Sequence, residues 1–185
     1  MKQINILTFH RAINYGAVLQ CYALYTALLQ MGYDVKVIDY NPKVMRKNRR
    51  LFAFSDIVSF LYSIKMLKSK LFAIRNFNNF LTTNLQIISI QNILSSSKNS
   101  DDIIIIGSDQ LWSPRINSGF DKYFWGNFRN DLNKITYAVS MGTDHSLSRE
   151  DMSLVKQYLT NFKAVSVRED SLKQELLKCG YTKNI

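Results

Sequence analysis

Short runs of β-favouring residues alternate along the chain with stretches whose apolar positions recur every three or four residues. Ile4 to Phe9 opens this alternation as a strand, and Asn14 with Gly16 marks a turn. A helix is predicted over Ala17 to Met31, with Leu24, Ala27, Leu28 and Met31 at helical spacing. Gly32 is placed to end it in the left-handed conformation. Asp34 to Asp39 is a second strand, and the whole stretch reads as a βαβ unit with parallel strands and a right-handed crossover. Four consecutive isoleucines, Ile103 to Ile106, lie between Asp102 and Gly107 without polar alternation, which suits a central strand covered on both faces. Lys134 to Ser140 and Ala164 to Val167 read as further strands, and Ser148 to Asn161 and Glu169 to Lys178 as helices. Ser148 with Asp151 resembles a capping box, and Gly180 stops the last helix. The sum predicts about five parallel strands with helices between them, a Rossmann-like three-layer α/β domain with a mostly parallel sheet.

One segment breaks this rhythm. After Pro42, Lys43, Arg46, Lys47, Arg49 and Arg50 form a basic loop. Ile57, Phe60, Ile64, Leu67, Leu71 and Ile74 then follow the helical period, with Lys65, Lys68, Lys70 and Arg75 across from them. This predicts a basic amphipathic helix over 56–75. Residues 76–100 are rich in Asn and Ser and read as connecting loops with a short helix near Gln91–Ser96. The expected organisation is one domain over 1–185 with a basic helical insertion at 43–100.

Charge sharpens that picture. The net charge is +10, yet residues 41–80 hold nine basic residues against Asp56 alone, so the basicity belongs to one segment and its partner. An anionic membrane surface suits an apolar face flanked by lysines. Nucleic acid, gripped with Phe52, Phe54, Phe60 and Tyr62, is disfavoured against it, and an ordinary solvated helix is the plain alternative. A chain of 185 residues that is 46% hydrophobic, with only 7 Gly and 2 Pro, excludes global disorder and collagen-like structure. Two cysteines make neither a disulfide framework nor a metal cluster, so the expected compartment is reducing and cytoplasmic, at most peripheral at the inner face of a membrane. The uncharged stretch from Ala12 to Tyr33 imitates a membrane span, but Asn14, Gln20, Thr26 and Gln30 interrupt it, and it reads as a buried soluble helix.

In an open α/β sheet, ligands bind beyond the carboxyl ends of the strands. Three polar clusters fall at such ends. His10, Arg11, Asn14, Tyr15 and Gly16 follow the first strand; Gly16 permits close backbone approach, and the next helix offers free N–H groups to an anion, while the plain reading is a turn with Asn14 as helix cap. Ser108, Asp109 and Gln110 follow the isoleucine strand; Asp109 could orient a sugar hydroxyl or act as a base, or bond its own backbone in a loop. Arg168 sits where the last strand gives way to a helix and could hold a carboxylate or phosphate, or pair with Asp170. Glu169 and Asp170 fit the helix dipole. No G-x-G-x-x-G or P-loop pattern is present. Weaker candidates are His145 with Asp144, the pair Asp101 and Asp102, Cys21, and the aromatic group Phe120, Tyr123, Phe124, Trp125 and Phe128, each more economically read as loop or core.

Four strings carry a resemblance. Thr8 to Gln20 (Thr-Phe-His-Arg-Ala-Ile-Asn-Tyr-Gly-Ala-Val-Leu-Gln) resembles the opening of the polysaccharide pyruvyl transferase family. Ile106 to Trp112 (Ile-Gly-Ser-Asp-Gln-Leu-Trp) resembles its central strand and loop, and Tyr137 to Gly142 and Ser166 to Glu169 its later strands, in order. The resemblance implies one half of a glycosyltransferase-B-like fold, in which two Rossmann-like halves face a cleft. It implies transfer of a pyruvyl group from phosphoenolpyruvate to two hydroxyls of a sugar or lipid-linked glycan as a cyclic ketal, in surface polysaccharide synthesis, with no metal or organic cofactor. Under it, His10 and Asp109 serve the sugar hydroxyls, and Arg11, Asn14, Tyr15, Gly16, Ser108, Gln110 and Arg168 line the substrate site. Family members run to about twice one such domain, so the expectation is an N-terminal half whose C-terminal domain is absent or supplied by a partner chain, and which is inactive alone. The alternatives are a transferase of the same fold using a nucleotide sugar, and a non-catalytic glycan- or membrane-binding module.

Overall fold

The computed structural model describes residues 2–52, 56–95, 102–129, 131–143, 147–183 and 185. His145, Asp144, Asp101 and Phe54 lie outside the described residues. The elements run β1 (Gln3–Leu7), α1 (Tyr15–Gln30), β2 (Asp34–Asp39), α2 (Lys43–Asn48), α3 (Ile57–Lys65), α4 (Leu67–Asn84), β3 (Ile87–Ser89), α5 (Ile90–Ser95), β4 (Ile103–Gly107), α6 (Pro114–Asn117), β5 (Asn133–Tyr137), α7 (Arg149–Leu159), β6 (Phe162–Ala164) and α8 (Asp170–Lys178). The strands form one parallel six-stranded sheet in the order β3-β2-β1-β4-β5-β6. This is the Rossmann-like α/β architecture that the alternation predicts, with one more strand.

The isoleucine strand is buried on both faces because its side chains alternate between two cores. Ile104 and Ile106 point into a core with Leu7, Ile38, Val155, Leu159, Leu172 and Leu176, under α7 and α8. Ile105 joins Ile4, Ile6, Val35 and Val37 beneath α1 and α4. Gly107 ends β4 at φ +129, and a Cβ there would collide with the Tyr137 carbonyl oxygen, so glycine is required at that crossing.

Several expectations are corrected. The buried stripe of α1 is Val18, Cys21, Tyr25 and Leu28, whereas Met31 is exposed. Apolar residues surround much of that helix, so periodicity alone did not fix which face turns inward. The basic helix is two helices, α3 and α4, broken at Met66. Residues 76–84, expected as loop, continue α4, because Phe77 and Leu81 bury against the α1 side of the sheet and packing overrides the weak propensity of Asn. The segment 43–100 is not wholly helical: Val37, Ile38 and Asp39 pair with Ile87, Ile88 and Ser89, which adds an edge strand. At the other end, Ala138 takes φ +46 and interrupts the strand expected over Lys134 to Ser140. β5 stops at Tyr137, β6 lies at Phe162–Ala164 rather than at 164–167, and Val139 rejoins Val167 only through an isolated bridge. The aromatic group packs as its plain reading had it: Phe124 and Trp125 are buried and Phe120 and Phe128 lie partly buried against them, Trp112 and Trp125 stack at 3.9 Å, and Trp112 Nε1 donates to the Phe124 carbonyl at 2.7 Å.

A candidate substrate cleft at the strand-order switch

From β1 the chain crosses to β2 and β3 on one side, then returns to β4, β5 and β6 on the other. The loops after β1 and β4 therefore diverge, and a crevice opens between them at the carboxyl ends of the strands. It is a cleft of about 510 Å³ whose lining includes Asn14, Gly16, Gln20, Asp109, Gln110 and Arg168. Residues from all three clusters meet there, although they stand far apart in the chain.

Each wall has a local cause. Asn14 caps α1, its Oδ1 accepting from Ala17 N at 3.1 Å, so the plain reading of that residue holds while its position also faces the cleft. Asp109 Oδ1 accepts from Gln110 N at 2.7 Å, and its carbonyl accepts from Ser140 N at 2.9 Å. Its Oδ2 has no hydrogen bond among the described residues. Arg168 Nη2 reaches across to Ser108 Oγ at 3.3 Å instead of pairing with Asp170, so the ends of β4 and of the last strand region are joined. Gln110 is backed by Gly142, whose φ is +73 and where a side chain would press on the Gln110 amide.

His10 does not line the cleft. Its side chain is 0% exposed, with Nδ1 at 3.3 Å from the Thr8 carbonyl and Nε2 at 3.2 Å from Asp39 Oδ1. Both neighbours are acceptors, and the ring tautomer sets which of them receives its N–H. Arg11 binds the same carboxylate through Nε and Nη2 at 2.8 and 2.6 Å. Hydrogen bonds from His10 and then Arg11 hold the Asp39 carboxyl far below the usual carboxylate range. The group ties the loop after β1 to the end of β2. Tyr15 also lies outside the cleft; it is 77% exposed, and its ring sits 5.0 Å from that of Phe77 beside α4.

Sequence reasoning missed three contributors. Gln20 lines the cleft, and both polar atoms of its amide are withdrawn from solvent with no hydrogen-bond partner among the described residues. Its spacing of four from Gly16 puts both on one helix face, a signal that was legible. Asp39 ends the second strand, another legible signal. Glu169, read only as a helix-dipole acid, accepts through Oε1 from Ser140 Oγ at 2.8 Å, Met141 N at 2.9 Å and Gly142 N at 3.2 Å. It thereby fixes the turn behind Gln110. Cys21 is an inert core residue whose thiol is pushed up to about 12 by burial.

The arrangement offers a free carboxylate oxygen, an unsatisfied amide and a guanidinium around one crevice. Such groups can orient hydroxyls, take up a proton and face an anion. In comparisons with known proteins, a family model described as polysaccharide pyruvyl transferase matches residues 14–185. No curated protein and no solved structure gives a significant match.

Proposed function

The chain belongs to the polysaccharide pyruvyl transferase family, and from that premise we propose that it transfers a pyruvyl group from phosphoenolpyruvate to two hydroxyls of a sugar or lipid-linked glycan in surface polysaccharide synthesis. The observation that carries this reading is the meeting of Asn14, Gln20, Asp109 and Arg168 in one cleft at the strand-order switch. Two hydroxyl oxygens bond to the central donor carbon and its bond to the phosphate oxygen breaks. One hydroxyl proton ends on the donor's methylene carbon, making it a methyl group, and the other leaves with phosphate. In this chain, Asp109 Oδ2 accepts a hydroxyl proton, the Gln20 amide orients the acceptor, and Arg168 faces the negative charge of donor or leaving group. His10 is a positioning residue that holds Asp39 and, through it, Arg11.

The test incubates the native protein, together with any further domain or partner chain it carries in its source cells, with phosphoenolpyruvate and surface glycans isolated from those cells. Phosphate release and new ketal-bound pyruvate on the glycan are expected, with Asp109→Asn lowering kcat about 10²-fold or more. Absence of phosphoenolpyruvate consumption with every glycan would overturn the reading. A nucleotide diphosphate that raises the Tm where phosphoenolpyruvate does not would favour a nucleotide-sugar transferase.

The same reading places the protein against an anionic membrane surface through α3 and α4. Supporting it, α3 has no buried residue, and Ile57, Val58, Leu61 and Phe72 are exposed beside Lys65, Lys68 and Arg75. Among the described residues no helix is long and apolar enough to cross a bilayer. Exposed basic side chains contribute about 1 kcal/mol each near anionic lipid, with the apolar face adding insertion. Sedimentation with phosphatidylserine vesicles at low salt is expected, and Leu61→Asp should reduce it. Failure to sediment, or a dimer in solution that Leu61→Asp dissociates, would reject the membrane as the occupant.

A further inference from the structure

Beside the cleft lies a second cavity of about 450 Å³. It shares Ala12, Asn14 and Met45 with the cleft, and its wall also holds Arg11, Arg49 and Lys70. The three cations come from the loop after β1, the residue that ends α2, and α4. The adjacent carboxylate, Asp39, is already bound by Arg11 and His10. Arg49 is half-buried, yet its guanidinium donates only to neutral acceptors, Nη1 to the Arg11 carbonyl at 3.1 Å and Nη2 to Asn78 Oδ1 at 2.7 Å. Lys70 Nζ donates to the Arg50 carbonyl. Neither has an acidic partner among the described residues. Burial, and then the nearby charge of Arg11, hold the Arg49 guanidinium below its usual range. Like charges gathered in a partly desolvated space are unfavourable until an anion joins them.

We propose that this cavity is a phosphate or pyrophosphate subsite, in which Arg11, Arg49 and Lys70 hold a phosphoryl group of a ligand whose remainder lies in the neighbouring cleft. Asp39 takes Nε and Nη2 of Arg11, so Arg11 Nη1 and the remaining N–H groups of Arg49 supply single donors for phosphate oxygens, and the Lys70 ammonium supplies a point charge. Asn14 lines both cavities, so an anion held here sits next to the cleft. The inference deepens the pyruvyl-transfer reading and rests on it only for the ligand's identity: the phosphoryl group belongs either to the phosphoenolpyruvate donor or to a phosphorylated glycan acceptor.

Titration calorimetry of the full chain at low ionic strength, with sodium pyrophosphate, inorganic phosphate and phosphoenolpyruvate as probes, tests this. Pyrophosphate should bind, and Arg49→Gln and Lys70→Met should each weaken it about tenfold. Lys163→Met, which removes one exposed charge on β6, should leave it unchanged. Lys70→Met keeps the test open if Arg49→Gln does not fold. Competition by phosphoenolpyruvate would assign the cavity to the donor; pyrophosphate binding that phosphoenolpyruvate does not displace would assign it to a phosphorylated acceptor. Absence of binding by all three probes, or equal weakening by Lys163→Met, would overturn the subsite. Pyrophosphate binding without pyruvyl transfer would instead leave the subsite standing and remove the activity. Pyruvyl transfer with a phosphoenolpyruvate KM indifferent to Lys70→Met, together with no pyrophosphate binding, would do the reverse.

Discussion

At the scale of single residues, Lys134 and Gly107 set constraints that no surface position shares. The Lys134 ammonium is enclosed in β5, donating to the Gly126 carbonyl at 2.9 Å and the Arg129 carbonyl at 2.6 Å above the rings of Phe128 and Phe162. Burial pushes it down to about 8 from an ordinary 10.5. Between those values the unfolded chain binds more protons than the folded one, so stability rises with pH across that window and the charged lysine is a penalty below it. Urea unfolding from neutral pH to about 10 should show this rise in the wild type and a flatter profile in Lys134→Met; parallel profiles would remove the argument. Gly107→Ala should cost at least about 2 kcal/mol, because positive φ and collision with the Tyr137 backbone act together. A chemical denaturation midpoint equal to wild type would contradict it.

At the scale of elements, the start of α1 joins stability to the cleft. Asn14→Ala removes the hydrogen bond to Ala17 N and should cost about 1 kcal/mol. The same change loosens a residue shared by the cleft and the cationic cavity, so ligand-induced stabilisation should fall as well as the Tm. A drop in Tm with unchanged ligand response would confine Asn14 to capping. The contrast between α3 and α4 follows from burial. α4 is anchored by Phe77 and Leu81, whereas α3 is capped by Asp56, whose Oδ1 accepts from Ser59 N at 2.7 Å, but buries no side chain. Ile57, Val58 and Leu61 on it are exposed and therefore available to a surface outside the fold.

At the scale of the whole molecule, the two cores meet at the sheet, and β1 and β4 lie between them. Local opening is resisted most where burial is two-sided. Hydrogen exchange should be slowest at Ile6, Ile104 and Ile105 and fastest along α3, whose helix lacks a buried face. Comparable protection in α3 and β4 would mean that α3 is covered in solution.

The strand, turn and helix rhythm was legible because period two and period 3.6 are local properties. Ile103 to Ile106 announced a central strand by composition alone, and Ser148 announced its helix by capping, with its Oγ accepting from Asp151 N at 3.0 Å. The cluster positions were legible too, since ligands gather at carboxyl ends of parallel strands. The short edge strand at Ile87–Ser89 was not, because three residues between two helices carry too little period to read. Nor was the buried state of His10, the reach of Arg168 to Ser108, or the meeting of Arg49 and Lys70 with Arg11. Local pattern was enough to read the α/β architecture and the loops that hold polar chemistry. Which side chains enter the cleft and which lock the loop beneath it was decided by the tertiary structure, because strand order and helix facing bring together residues whose separation along the chain carries no signal of their contact.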